Sequence, residues 1–493
     1  MNTPESGTYV VIPVSVASFL DGDRTIAALS FSFSGIDSTE SAVSLPDKEE
    51  VSQIHTSELS TREIGRLEER GDLGRTVYPL VMYFPQVMGI TASSPARPTT
   101  RPTKRPVSMS MRPTPGTTPW VVRVVERGTG RPLPGVSVTA FMTPIRKGGI
   151  EGTTGSNGEV TLPIHHGVVE SLFALPTHSH WSHLGLKVSP GPRTHVIELD
   201  VLDPKARSAV HISRRKAVLG GTGAGVRVGV IDTGVGPHPD VTCAGGIGPL
   251  SEPGGAPADC DVHGTHVAGV IAGRGQFPGL APDCELFSYR VCRPGQVGAT
   301  NADVVHALFE AMRDGCHVIN LSLGSTAGDP LIEKVVTAAM NQGVLVIAAS
   351  GNDGRRPVSS PAKVPGVVSV SAMGCKQTYP VDSTHTLREC SPNGTTPTHY
   401  VANFSNVGST LSCTAPGVGV VSTVPGGYLA LDGTSMAAPV VTGIAACLLS
   451  ANPLILAQKA DLNRTDAMRG LLYTACNSLG FPSHLEGKNG LPS

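Results

Sequence analysis

Three segments lying far apart in this chain carry the side chains that nucleophilic hydrolysis requires. They are a carboxylate in Ile231-Asp232-Thr233-Gly234, an imidazole in His263-Gly264-Thr265-His266 and a hydroxyl in Gly433-Thr434-Ser435-Met436-Ala437-Ala438-Pro439. A serine hydroxyl attacks an amide only when a base removes its proton, and the base works only when an anion holds it in the right tautomer. Asp232, His263 and Ser435 supply anion, base and nucleophile in that order along the chain.

The flanking residues predict the elements that must position them. The apolar run Val226–Ile231 reads as a strand buried on both faces of a parallel sheet, with Asp232 at its carboxyl end, where open α/β sheets gather their sites. Small residues after His263 permit a sharp entry into an apolar helix over 267–272, and His266 reads as a packed neighbour rather than a second base. Ser435 opens another helix through 440–446, so its oxygen faces the positive end of the helix dipole. Pro439 is expected near the first turn, where a missing N–H costs least.

The order Asp, His, Ser is one of three known for this device, and from about residue 215 onward the chain resembles the subtilisin-like serine proteases (subtilases, the peptidase S8 family). The resemblance implies an α/β fold with a parallel sheet flanked by helices. It also implies a serine endopeptidase cleaving protein or peptide substrates through an acyl-enzyme intermediate. It further implies a role for Asn352, which follows the apolar run Val344–Ala349 in Ser350-Gly351-Asn352. Alone, that tripeptide signals a turn; in the family an Asn there donates its amide to the oxyanion beside the nucleophile's N–H, a donor worth about 2.7–4 kcal/mol in the barrier.

Substrate-binding and metal expectations rest on the same resemblance. Ser322, Leu323 and Gly324 would form one wall of a cleft that pairs with an extended peptide, and the opposite edge is expected within 293–298. Asp353 falls on the rim of the primary specificity pocket, where it would either favour a basic or polar substrate side chain or serve as a solvated loop acid. The chemistry needs no cofactor. For structural calcium, Asp240 in His238-Pro239-Asp240 is the candidate ligand, but 273–279 is too short and too poor in Asn and Asp for the family's ligand loop. No metal site is therefore assigned.

At 493 residues the chain has room for two or three folded domains. A formal charge of −1 gives no electrostatic reason to expect nucleic acid or an anionic membrane as partner, and no apolar run approaches the roughly 20 residues of a membrane span. The expected division is an N-terminal α+β region over 1–96, a Pro/Thr/Arg linker over 97–117, a small β-sandwich over 118–202 and the catalytic domain over 210–493. The β-sandwich is similar to carboxypeptidase-regulatory or Ig-like modules. In the N-terminal region, residues 8–20 read as containing a strand and 62–69 as a helix with a Ser60/Glu63 capping box, followed by an apolar run over 77–84.

The apolar stretch at 8–20 follows seven residues without Lys or Arg and precedes no small-x-small pattern, which predicts cytoplasmic synthesis and any export by a route independent of this peptide. The ten cysteines all lie between 243 and 476, an even number that suits disulfides, yet none forms a C-x-x-C pair. Cys447 reads as a buried thiol, and Cys375 with Cys390 as the pair most open to oxidation. An endopeptidase made inside a cell needs restraint, expected from the N-terminal region as an inhibitory or pro-region, or from a separate inhibitor protein. Two alternatives stand beside the broad endopeptidase: a selective processing protease, and an inert binding scaffold on the same fold.

Overall fold

The computed structural model describes residues 6–13, 54–60, 75–86, 88, 119–205 and 220–492, less 147, 165–166, 251, 253–256, 260, 295–297 and 390–393, with 16, 20, 45, 46 and 48 besides. The expected helix at 62–69, the linker at 97–117, Cys260 and Cys390 lie outside these residues.

The N-terminal region contributes strands β1 (Ser6–Pro13), β2 (His55–Ser60) and β3 (Arg75–Pro79), paired in the order β2-β1-β3, and a fourth strand, β4 (Met82–Pro85), that leaves this sheet. Seven strands follow: β5 (Trp120–Glu126), β6 (Ser137–Phe141), β7 (Ile150–Thr153), β8 (Glu159–Leu162), β9 (Val169–Leu175), β10 (His183–Val188) and β11 (His195–Leu199). They form two sheets, β10-β9-β6-β7 and β11-β5-β8, which share an apolar core built on Trp120, Val122, Val124, Val138, Leu162, Leu172 and Ile197. The alternation of buried and less buried residues along β5 is what a strand packed on one face requires.

The remainder is an α/β unit. Its sheet holds β12 (Arg227–Asp232), β13 (Gly245–Ile247), β14 (Glu285–Arg290), β16 (Val318–Leu321), β18 (Leu345–Ala349), β19 (Val368–Cys375) and β20 (His399–Val401) in the order β13-β14-β12-β16-β18-β19-β20, with β21 (Cys413–Pro416) also on β19. Every pairing is parallel except β19 with β20. Two short strands outside this sheet, β15 (Ala299–Thr300) and β17 (Leu323–Gly324), border the cleft, and a hairpin of β22 (Val420–Val424) and β23 (Gly427–Leu431) leads to the nucleophile segment.

Helices cover both faces, which is why the central strands are apolar on both sides. Helices α1 (His263–Ala272) and α4 (Thr434–Ala451) bury Val267, Ile271, Val440 and Ile444 with Val228 and Val230 on one face. Helices α2 (Asn301–Arg313) and α3 (Pro330–Asn341) bury Leu308, Phe309, Val335 and Val336 with Ile231 and Ile319 on the other. Val10, Ile12, Ile54 and Tyr83 join that second cluster, so the N-terminal sheet shares the core behind the cleft. Helix α4 is long and apolar enough to cross a membrane by composition, but 83% of it is buried in the molecule, as a core helix must be.

Pro439 departs from its expected position. It sits inside α4 rather than in the first turn. With no N–H at residue 439, the carbonyl four residues earlier, that of Ser435, loses its helical donor. The Ser322 hydroxyl donates to that carbonyl instead, at 2.9 Å.

Candidate active site

The carboxylate and imidazole meet where the parallel sheet ends. Asp232 closes β12, and its Oδ1 accepts Nδ1–H of His263 at 2.6 Å and the backbone N–H of Thr233 at 2.7 Å. The helix can come this close because residue 264 is glycine: a Cβ there would lie 2.0 Å from the Gly234 carbonyl oxygen. Thr233 ties the two segments further, its hydroxyl accepting from Gly264 N–H at 2.8 Å and donating to Asp259 at 2.7 Å. Asp259, which sequence reasoning missed, also accepts the Thr265 N–H at 2.9 Å and the Thr265 hydroxyl.

Burial by itself lowers the pKa of His263, but the adjacent Asp232 carboxylate outweighs it and holds the imidazole above its ordinary value. The Nε2 atom of His263 is buried and meets no partner among the described residues. His266 behaves as expected of a packed residue: its Nε2 donates to the carbonyls of Val420 (2.9 Å) and Leu429 (3.0 Å), and burial pushes its pKa down to about 3.

Ser435 stands in the first turn of α4, fully buried. Its hydroxyl donates to the Ser322 carbonyl at 2.7 Å and makes no hydrogen bond to His263. Its backbone N–H donates to the carbonyl of Gln86 at 3.0 Å. Beside it, Asn352 Oδ1 accepts from Thr434, from N–H at 3.0 Å and from the hydroxyl at 2.9 Å. That orientation leaves Nδ2 of Asn352 buried with no partner among the described residues.

The cleft holds a segment of the chain's own N-terminal region. β4 pairs antiparallel with β15 on one side (Tyr83 with Ala299, Met82 with Thr300) and β17 on the other (Phe84 with Gly324, Pro85 with Leu323). Ser322, Leu323 and Gly324 thus form one wall. The opposite wall lies at Ala299–Thr300, just beyond the expected 293–298; from that segment Gly298, at φ +93°, lies against β4, where a Cβ would come 2.7 Å from the Tyr83 carbonyl. Gln86 donates its backbone N–H to Ser322 O at 3.1 Å, and Met88 donates its own to Asp432 O at 2.8 Å. The Gln86 side chain donates to the carbonyls of Phe84 (2.8 Å) and Gly324 (3.2 Å) and accepts the Asn352 backbone N–H at 3.2 Å. The buried Tyr83 hydroxyl donates to Asp329, which caps α3, at 3.1 Å. Sequence analysis saw the apolar run over 77–84 but not its destination, because no local signal says which groove an extended segment fills.

Asp353 is half-buried and engaged by Asn406, whose Nδ2 donates to its carboxylate at 3.0 Å and whose Oδ1 accepts its N–H at 2.8 Å. It lines a cavity with Thr326, Arg356, Pro357, Val358 and Ser359. Asp240, the candidate calcium ligand, accepts the Tyr428 hydroxyl. No disulfide joins the eight described cysteines to one another; the buried Cys447 donates to Leu280 O at 3.1 Å, and burial pushes the Cys375 thiol up to about 12.

A parallel sheet that presents a carboxylate–imidazole pair at its carboxyl edge, with a serine at the start of a buried helix beside it, defines a class of α/β serine hydrolases. The chain belongs to the subtilase family, whose model matches residues 223–490. Among curated relatives, it is 39% identical over 237 residues to the M-protease of Shouchella clausii (strain KSM-K16), a match covering 47% of this chain and 56% of that protein. It is 39% identical over 237 residues to Subtilisin BL of Lederbergia lenta, covering 79% of it, and 35% identical over 243 residues to Subtilisin NAT of Bacillus subtilis subsp. natto, covering 58%. The matched stretch is about half of this chain, and the front modules lie outside it.

Proposed function

We propose that this chain is a serine endopeptidase in which Ser435 attacks the scissile carbonyl, His263 removes its proton and returns it to the leaving amine, and Asp232 orients His263 and stabilises the imidazolium. The Ser435 N–H and the Asn352 side-chain amide hold the oxyanion. For the attack, the Ser435 hydroxyl turns from Ser322 O toward the free Nε2 of His263. The observation that carries the reading is the Gln86 carbonyl seated on the Ser435 N–H, in a strand running between both walls of the cleft, while Nε2 of His263 and Nδ2 of Asn352 stand buried without partners. A carbonyl in that position is presented for attack, and pre-formed donors at the developing charge are the largest single source of rate in acyl transfer.

The occupant itself gives the first substrate. Region 1–96 acts as an internal inhibitor, and the peptide bond formed by the Gln86 carbonyl is cleaved by the same molecule. Polar contacts from Gly324 and Asn352 to the Gln86 side chain favour an uncharged polar residue before the bond, a selectivity that suits a processing protease rather than a broad degrader. The test is the purified chain beside Ser435→Ala. The wild type is expected to yield a fragment beginning at Val87 by intact mass and to cleave Gln-containing peptides in a fluorogenic library. Ser435→Ala is expected to stay whole and inert. Peptide cleavage surviving in Ser435→Ala overturns the assignment.

A further inference from the structure

A second buried carboxylate–imidazole pair lies next to the nucleophile and has no part in the mechanism above. Asp432, three residues before Ser435, is 3% exposed. Its Oδ1 accepts Nδ1–H of His385 at 2.6 Å and the Gly419 N–H at 2.8 Å, and its Oδ2 accepts Nε–H of Arg388 at 2.8 Å. Burying a carboxylate is costly unless it is paired and hydrogen-bonded, and both oxygens here are. Burial alone would raise its pKa; His385 and Arg388 hold it well below the usual carboxylate range.

The grip extends outward to the β module. His385 and Arg388 lie on a single 3-10 turn, Thr384–Arg388. Trp181, from the loop before β10, packs edge-on against the His385 ring at 5.5 Å. The Ser182 and Thr384 hydroxyls bond at 2.6 Å, Leu184 N–H donates to Asp382 O at 2.6 Å, and Arg127 pairs with the Asp382 carboxylate at 3.0 Å. Trp181 and Leu202 share an apolar cluster with Phe277 and Val421 of the catalytic unit. One short stretch, 382–388, is thus held by the module on one side and holds Asp432 on the other.

What Asp432 does with its remaining polar group points to a role. Its main-chain carbonyl accepts the N–H of Met88 at 2.8 Å, two residues beyond the Gln86 carbonyl that rests on Ser435, and so on the leaving-group side of the bond. We propose that His385 and Arg388, braced by Trp181 of the β module, position Asp432 so that its carbonyl receives a substrate amide on the leaving-group side, which makes the module a working part of the cleft. This rests on the hydrolase reading above and adds a positioning role for residues outside it. Asp432 meets the bound strand through its main-chain oxygen at Met88, past the scissile bond, so disturbing its supports acts on substrates that extend that far.

The experiment compares two substrates on the full chain: a peptide p-nitroanilide with residues on the acyl side alone, and an internally quenched peptide continuing at least three residues beyond the bond. Ser435→Ala serves as the blank. In His385→Leu, kcat/KM for the extended peptide is expected to fall about five- to tenfold, the worth of one hydrogen bond, while the nitroanilide changes less than about twofold. His385→Asn, which keeps a donor toward Asp432, should restore the extended peptide, and Trp181→Phe should lie between. Both substrates falling in step, or neither moving, overturns the positioning role while the hydrolase reading stands. A wild type that has lost its 1–86 fragment and is still no faster than the blank on either substrate overturns the hydrolase reading itself.

Discussion

At the scale of single residues, the site divides its work between groups that carry charge and groups that hold them. In the proposed mechanism His263 is the group whose titration governs activity. As a base it must be neutral, and because Asp232 holds its pKa above the ordinary value, activity is expected to rise with pH along a limb centred above about 6.5. Asp232→Asn removes the carboxylate and leaves burial to dominate. The acid limb should then move to lower pH while kcat falls about 10⁴-fold, because the wrong tautomer is favoured. A pH–rate profile of the variant with its limb unmoved would contradict this assignment of roles. Asn352→Ala should cost about 10²–10³ in kcat with KM little changed, the magnitude established for the equivalent donor in a subtilisin. An Asn352→Ala enzyme as fast as wild type would remove that residue from the oxyanion site.

At the scale of elements, the contacts that matter are close approaches of backbone. Helix α1 reaches Asp232 only because Gly264 lets its first turn rest on the Gly234 carbonyl, 2.0 Å from where a Cβ would be. Gly264→Ala forces the helix start away. A melting experiment should show a loss of about 1–3 kcal/mol, the usual cost of overpacking, and activity should drop further than stability because His263 moves with the helix. Helix α4 shows a different device. Pro439 frees the Ser435 carbonyl from the helical ladder, and the Ser322 hydroxyl donates to it, while the Ser322 carbonyl accepts the Ser435 hydroxyl, so these two residues are bonded to each other twice. Pro439→Ala restores an N–H that competes for that carbonyl; the expected result is a stable protein with reduced kcat, measured on a short peptide.

At the scale of the whole molecule, the N-terminal region is both the occupant of the cleft and part of the core behind it. Its strand crosses the cleft while Val10, Ile12 and Tyr83 lie in the apolar cluster behind α2 and α3. Cleavage after Gln86 is therefore not expected to release the region at once. Size-exclusion chromatography of the freshly cleaved chain should show the 1–86 fragment co-eluting with the remainder, with full peptidase activity appearing only as it is lost. Immediate separation, or full activity before separation, would show that the cleft strand alone supplies restraint.

How much of this was legible in the sequence follows from the range of the interactions involved. Asp232, His263 and Ser435 stood out in the sequence because each sits at a junction between a local hydrophobic pattern and a small-residue turn, and such patterns are set by neighbours in the chain, whereas Asn352 was singled out only by the family resemblance, since its tripeptide alone signals a turn. The α/β layers were readable for the same reason: strands apolar on both faces demand helices on both sides. Pro439 was misjudged because helix starts are fixed by capping geometry rather than by composition. Gln86 in the cleft, Asp259 beneath the imidazole, and the His385–Arg388–Asp432 group were invisible. They join segments from 26 to 349 residues apart, as Thr233 with Asp259 or Gln86 with Ser435. The sequence by itself determined which residues are candidates for the chemistry and which elements present them. Only the tertiary structure decided what lies in the cleft and what braces the nucleophile loop, because hydrogen bonds between remote segments depend on how the finished layers pack.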